Sequence, residues 1–146
     1  MKLSTRSRYG TRLMLDMARN YNGGPIQLGE IAKRQDVSVK YLEQIIIPLK
    51  KAQYITSVRG PKGGHILTRP PEKITVGEIV AVLEDGLSLV ECIEFPTVCD
   101  RAPVCPTRLL WKEVSETMFG KLQSVTLADL VQEAQALENR DGPRKP

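Results

Sequence analysis

The three cysteines of this 146-residue chain, Cys92, Cys99 and Cys105, all lie in the segment CIEFPTVCDRAPVC. Their spacing contains no Cys-x2-Cys pair, which disfavours a zinc finger or zinc ribbon. A structural role in an apolar core is also disfavoured, because the same segment carries Asp100 and Arg101. Three interpretations stay open from spacing alone: a labile disulfide, redox-active thiols, or an iron–sulfur cluster whose fourth ligand is not a cysteine.

The compartment bears on the choice between these interpretations. No stretch reaches the roughly 18 apolar residues that a membrane span needs, and no apolar core follows the basic start MKLSTRSRYG as in a secretory signal. An odd number of cysteines without a signal indicates a reducing cytosol, where clustered thiols bind metal more often than they form disulfides. We therefore expect a cytoplasmic protein that does not associate with a membrane.

The charges are divided unevenly between the two halves of the chain. Residues 1–70 hold 13 Lys and Arg against 4 Asp and Glu, a net charge of +9. Residues 71–146 hold 8 against 13, a net charge of −5. This division favours a polyanionic partner for the basic half. A solvated basic surface without any partner would show the same charge, so the motifs must decide.

Apolar residues at helical spacing predict three helices in the basic half. The first begins at Ser4 or Thr5 and stops at the sequence NGG, the second ends near Asp36, and Ser38 caps the third. The polar face of the third helix carries Lys40, Glu43, Gln44 and Lys51, with Ile47 among them. This arrangement is typical of a helix-turn-helix, whose second helix docks by an apolar face and reads base edges with the other.

A β-hairpin is predicted directly after these helices. Two β-like runs, Tyr54–Val58 and His65–Thr68, flank the sequence RGPKGG, which places Arg59 and Lys62 at a Gly- and Pro-rich tip. A basic tip of this kind is typical of a DNA-binding wing, since arginine is attracted to the negative potential of the minor groove. The chain shows no nucleophile–base pair, paired catalytic carboxylates or P-loop spacing, so we do not expect an enzyme.

The acidic half predicts helices on both sides of the cysteines. The sequence TVGE at Thr75–Glu78 is a capping box for a helix that runs towards Gly86. Prolines at 96, 103 and 106 disfavour a regular helix or strand in the cysteine segment, which we expect to be a loop. A long helix then carries an a/d seam of Trp111, Val114, Met118, Leu122 and Val125. This seam favours a homodimer, because a small winged helix has little core left to cover it. A last helix begins after Thr126.

The chain resembles the Rrf2 type of bacterial winged-helix regulators, which includes IscR, NsrR and CymR. The resembling stretches are MKLSTRSRYGTRLMLDMA, SVKYLEQIIIPLKKA, VRGPKGG, the three spaced cysteines and LLWKEV. We therefore expect a mainly α-helical homodimer with a small β-hairpin, made of a winged helix-turn-helix domain and a long dimerisation helix. The expected parts are a DNA-binding domain at 1–73, a cluster-binding loop with dimerisation helices at 74–137, and a flexible tail at 138–146.

The resemblance also implies a set of site residues. An iron–sulfur cluster, two-iron rather than four-iron, would be held by the three cysteines in each subunit. A double-stranded DNA operator would be contacted by Ser38, Lys40, Tyr41, Glu43, Gln44, Arg59 and Lys62. Lys40 stands where IscR-like members have a small hydroxyl residue, so we expect a different operator preference.

The fourth cluster ligand departs from the family pattern. Arg108 stands where IscR proteins place a histidine, and Arg8 stands where NsrR-like members take an acidic ligand from the other subunit. The single histidine, His65, is expected at the surface of the wing or against DNA. We interpret the chain as a repressor of iron–sulfur biogenesis genes that responds to its cluster. The alternatives are a nitric-oxide or redox sensor, and a cysteine-metabolism regulator acting through thiols and a partner enzyme.

Overall fold

The structure is a computed structural model that describes residues 2–142. In chain order its elements are α1 (Thr5–Arg19), α2 (Leu28–Gln35), α3 (Val39–Lys51), β1 (Ile55–Val58), β2 (Gly64–Leu67), α4 (Val76–Leu83), α5 (Glu91–Glu94), α6 (Pro106–Gln123) and α7 (Leu127–Asp141). The two strands form one antiparallel sheet. The predicted fold class, mainly helical with a small β-hairpin, is confirmed. Within residues 2–142, none of the helices has the length and apolar character to cross a bilayer.

Local capping signals set the ends of the helices where the sequence predicts them. The Ser4 hydroxyl accepts the Ser7 N–H at the start of α1, and the Ser38 hydroxyl accepts the Tyr41 N–H at the start of α3. Asp36 ends α2 in the left-handed conformation, with φ of 53°. The capping box at Thr75–Glu78 is present in full, with both reciprocal hydrogen bonds formed.

The hairpin is attached to the helical core by its second strand. β1 pairs with β2 so that Ile55 lies opposite Leu67 and Val58 opposite Gly64. His65 exchanges two backbone hydrogen bonds with Ile26, 2.8 and 3.0 Å long, which ties β2 to the segment before α2. The tip that follows Val58 is therefore carried on a base that is fixed to the helix-turn-helix.

A single hydrophobic core extends past the boundary expected at residue 73. It draws side chains from α1, α2, α3 and both strands, and also Ile79 of α4 and Leu127 of α7. Backbone hydrogen bonds join the starts of α4 and α7: Val76 N–H to Val125 O at 2.8 Å, and Leu127 N–H to Ile74 O at 2.9 Å. Helices α4 and α7 therefore complete the core of the basic half, whereas α5, α6 and the cysteine segment lie outside it.

The expected tail at 138–146 differs from the structure in its first residues. Helix α7 continues through Asp141, because it packs along α1 and Glu138 forms an ion pair with Arg19. Residues 143–146 of that expected tail lie outside the described residues.

Substitution of Leu127 tests whether α7 belongs to this core. Leu127 is fully buried, whereas Leu137 on the same helix is 46% exposed. We expect Leu127→Ala to lower the free energy of unfolding by about 2–5 kcal/mol, because it leaves a cavity. Leu137→Ala should change it by less than about 0.5 kcal/mol. Urea denaturation of both variants measures the difference, and equal effects would place α7 outside the core.

Candidate nucleic-acid interface and cysteine segment

Helix α3 has one buried face and one free face. Leu42, Ile45, Ile46 and Leu49 are buried against the core. On the other side, Ser38, Lys40, Glu43 and Gln44 are exposed. The predicted reading residues therefore lie on a common surface near the N-terminus of α3, as a recognition helix requires. Tyr41 is half-buried instead, with its ring edge-on to Tyr9 at 5.8 Å between centroids.

An ion pair between the buried Asp16 and the half-exposed Arg34, which the sequence did not predict, holds α2 against α1. Asp16 of α1 is only 6% exposed and accepts two hydrogen bonds from Arg34, 2.6 and 2.9 Å long, and one from Gln35. The hydrogen bonds to Asp16 raise the pKa of Arg34 above its ordinary value. A signal was present in the sequence, since Asp16 interrupts the apolar stripe of α1 between Met14 and Met17. A carboxylate on a buried face needs a partner.

Arg12 links the same region to α3. Its guanidinium donates to the side chain and the carbonyl oxygen of Gln35, at 2.8 and 3.1 Å, where α2 ends. It also stacks over the ring of Tyr9 at 5.0 Å, and Tyr9 contacts Tyr41 of α3. Residues of α1 therefore contact both the end of α2, through Gln35, and the start of α3, through Tyr41.

The tip of the hairpin presents the two predicted basic residues to solvent. Arg59 and Lys62 are both exposed. The close turn behind them requires Gly63, because a Cβ atom there would overlap the carbonyl oxygen of Val58. His65 lies on β2 of the hairpin and is half-exposed, with Nδ1 3.3 Å from the Ser57 hydroxyl. Burial and the charge of Lys50 lower the pKa of His65.

The cysteine segment is more regular than the loop predicted from its prolines. Cys92 lies in the one-turn helix α5, short 3-10 turns follow at Pro96–Val98 and Ala102–Val104, and Cys105 is the N-cap of α6. The prolines at 96, 103 and 106 all occupy the first or second position of these turns and of α6. Proline is tolerated there, since the missing N–H has no partner within the helix.

Helix α6 holds the cysteine segment at Cys92 and the stretch before it at Leu89. Arg108 Nε donates to the carbonyl oxygen of Cys92 at 2.9 Å. The hydroxyl of Ser115, which is buried, accepts the N–H of Leu89 at 3.0 Å and donates to the carbonyl oxygen of Trp111. Arg108 therefore braces the turn that carries Cys92.

All three cysteines are free thiols. Cys92 and Cys105 are half-exposed and Cys99 is exposed. The Thr107 hydroxyl, 3.2 Å from the Cys105 sulfur, and the N–H of Arg108 at the start of α6 lower the pKa of the Cys105 thiol. Between residues 2 and 142, no three Cys, His, Asp or Glu side chains are grouped closely enough to hold a metal ion. The donor chemistry fits an iron–sulfur cluster, but this arrangement does not gather the three sulfurs into one coordination sphere.

The end of α4, eight residues before Cys92, is tied to the start of α1. Glu84, which follows α4, accepts the backbone N–H of Ser4 at 3.0 Å, and Arg6 donates to the carbonyl oxygen of Leu83 at 2.7 Å. Burial would raise the pKa of Glu84, but hydrogen bonds from Ser4 and Ser7 and the charge of Arg6 lower it. We call this set of contacts, Ser4, Arg6, Ser7 and Glu84, the α1 clamp.

Helix α6 leaves part of its predicted seam uncovered. Trp111, Val114 and Met118 are 41%, 38% and 39% exposed, whereas Leu122 and Val125 are half-buried. Beside them an apolar groove of about 520 Å³ runs between α6 and the N-terminal residues, with Leu3 and Phe119 in its lining. The exposed stripe and the groove form one continuous apolar surface on this chain.

Comparison with known proteins gives consistent results. The family model described as "Rrf2: Iron-dependent Transcriptional regulator" matches residues 3–133. Protein rrf2 of Nitratidesulfovibrio vulgaris is 48% identical over 134 residues, which cover 92% of this chain and 89% of the relative. Among solved structures, T. potens IscR has a TM-score of 0.76 at 39% identity and covers 92% of this chain and 88% of its own. CymR, described as the global cysteine regulator of B. subtilis, has a TM-score of 0.77 at 37% identity and covers 91% and 98%.

Proposed function

The chain belongs to the Rrf2 family of transcriptional regulators, and we propose that it is a repressor whose operator binding responds to an iron–sulfur cluster on Cys92, Cys99 and Cys105. Members of this family are regulators and not enzymes. One observation supports the proposal: the α1 clamp holds the end of α4, eight residues before Cys92, to α1, the helix on which the recognition helix packs. We further propose that the regulated genes serve iron–sulfur cluster assembly.

The operator would be read by α3 and the hairpin together. Glu43 is suited to accept from a cytosine amino group, Gln44 to pair with an adenine edge, and Lys40 to reach guanine or phosphate. Arg59 would enter the minor groove from the wing, with Lys62 beside it at the phosphates. Their exposure supports these roles, as does the net charge of +9 over residues 1–70.

A second copy of this chain is the partner that we propose for the apolar surface of α6. The uncovered residues follow the heptad spacing of a helix–helix seam. Two recognition helices related by a two-fold axis would meet half-sites about one DNA turn apart, as in other helix-turn-helix dimers.

Iron–sulfur clusters supply a redox-sensitive centre that thiolates hold and that oxidants dismantle. In this chain Cys92 and Cys105 would contribute from positions already braced by α6, and Cys99 from the exposed turn between them. Gathering Cys99 towards the other two changes the path of the segment. The α1 clamp would pass that change to α1, and thus shift the equilibrium between two spacings of the recognition helices.

A second candidate is a thiol-sensing regulator of cysteine metabolism that works without a cluster. Two observations favour it: the structural similarity to CymR, the global cysteine regulator of B. subtilis, and three free thiols that are not gathered as ligands. In this case oxidation of the exposed thiol or docking of a partner enzyme would alter the same segment.

Substitution of Arg59 tests the wing. We expect Arg59→Ala to weaken operator binding and to reduce the magnitude of the slope of log affinity against log salt by about one, because one cationic contact is lost. Arg140→Ala, which removes an exposed arginine of α7, is the control and should leave the slope unchanged. Fluorescence anisotropy across a salt series measures both, and identical slopes for Arg59→Ala and wild type would contradict the assignment.

A charge placed in the α6 seam tests the dimer. We expect Met118→Glu to sediment as a monomer, because the new carboxylate would be buried in an apolar interface. Gly120→Glu adds the same charge about 160° away around α6, where a Cβ atom meets nothing within 4 Å. That control should remain a dimer in sedimentation velocity. Monomeric wild type would refute the proposed second copy.

Anaerobic reconstitution with iron and sulfide tests the cluster and separates the two candidates. Wild type should gain iron, sulfide and a visible charge-transfer band. Cys92→Ala, Cys99→Ala and Cys105→Ala should each lose most of them, whereas Val104→Ala, at an 81% exposed position in the same segment, should not. Native spectra in all three cysteine variants would contradict the ligand assignment. Iron-free wild type whose operator affinity changes reversibly with thiol oxidation would favour the second candidate.

The same preparation tests the coupling through the α1 clamp. Glu84→Gln should still take up iron, but the difference in operator affinity between reconstituted and iron-free protein should shrink. An unchanged difference would show that the clamp does not couple the two sites.

A further inference from the structure

Ile47 is an apolar side chain on the surface of α3 that faces away from the core. It is 63% exposed, the largest exposure of the large hydrophobic residues on this helix. Burying an isoleucine side chain stabilises a fold by roughly 1.5–3 kcal/mol, and an isoleucine left in water does not make this contribution. A single exposed apolar residue is ordinary on a protein surface, so its position on the helix decides its meaning.

Ile47 lies at the centre of the reading face and not at its edge. At about 100° per residue, Ile47 lies about 20° from the direction of Lys40 and between those of Glu43 and Gln44. The buried stripe that includes Leu42 and Leu49 lies on the opposite side. If α3 enters the major groove as proposed, a residue in this direction points at base edges.

The surroundings of Ile47 select the partner. Three lysines, Lys40, Lys50 and Lys51, and one carboxylate, Glu43, are exposed around it on the same helix, so its surroundings are net positive. A basic surface of this kind suits a polyanion and disfavours an apolar protein partner. The major groove offers one apolar group to such a side chain, the C5-methyl group of thymine.

We propose that Ile47 is a specificity-determining residue that contacts a thymine methyl group in the operator. This inference rests on the proposed operator binding and adds a base preference that the polar residues of α3 do not supply. Ile47 lies about one helical turn after Glu43 and Gln44. We therefore expect it to prefer thymine at the base pair next to those that Glu43 and Gln44 contact. Because the contact is apolar, it adds no counterion release and should be independent of salt.

Replacing thymine by uracil tests this proposal, since the change deletes the methyl group and keeps the hydrogen-bonding edge. The operator is first selected from random duplexes by wild-type protein, and each thymine is then replaced singly. At one position, wild type should lose about fourfold in affinity, the amount expected for one methyl group. Ile47→Ala should bind the unmodified operator more weakly and show no loss at that position.

Val39→Ala is the matched control, because Val39 is a 41% exposed apolar residue of α3 that points about 80° away from Ile47 and about 100° away from Lys40. It should keep the fourfold effect of uracil, and Ile47→Val should keep most of it. Uracil effects that are the same in wild type and Ile47→Ala at every position would overturn the inference while leaving operator binding intact. Failure of wild type to select any sequence would overturn the proposed function, and the inference with it.

Discussion

The close approach of three helices at Gly10 is the contact on which the rest of the structure depends. Gly10 lies in the middle of α1, and a Cβ atom there would overlap Cδ1 of Leu83 in α4 and stand 3.3 Å from Cγ2 of Ile45 in α3. Both side chains are buried and closely packed, so neither has room to move away. One residue without a side chain thus brings the recognition helix and the helix before the cysteine segment onto the same face of α1.

This packing makes α1 the helix against which α2, α3 and α4 are all held. Its start carries the α1 clamp, its middle carries Gly10, and its second half carries the buried Asp16 that fixes α2 through Arg34. Packed helices of this kind change between discrete arrangements and do not deform continuously. In the proposed regulator, a change at the cysteine segment that altered the end of α4 would reach α3 as a movement of α1, without any contact between the thiols and the recognition residues.

Local signals are enough to predict the helix-turn-helix, the hairpin and the Thr75–Glu78 capping box, because each of these depends on residues close together in sequence. The features missed depend on distant contacts. Asp16 finds Arg34 only when α1 and α2 are packed, and α7 joins the core through the backbone pairing of Ile74 with Leu127. The prolines near the cysteines predict a break in regular structure, yet each occupies a turn position that tolerates it. Composition could not show whether the three sulfurs lie together.

Arg108 has a structural role at the position where a cluster ligand is expected from the resemblance to IscR. A guanidinium stays protonated and has no lone pair to give, so it cannot ligate iron. Its hydrogen bond to the Cys92 carbonyl instead ties the first thiol to the helix that the third thiol caps. Two of the three thiols are therefore anchored to α6 before anything binds, and only Cys99 stands exposed between them. In the proposed regulator, the conformation of the cysteine segment would depend on the position of Cys99. Binding or loss of the cluster would then change that conformation by moving one residue.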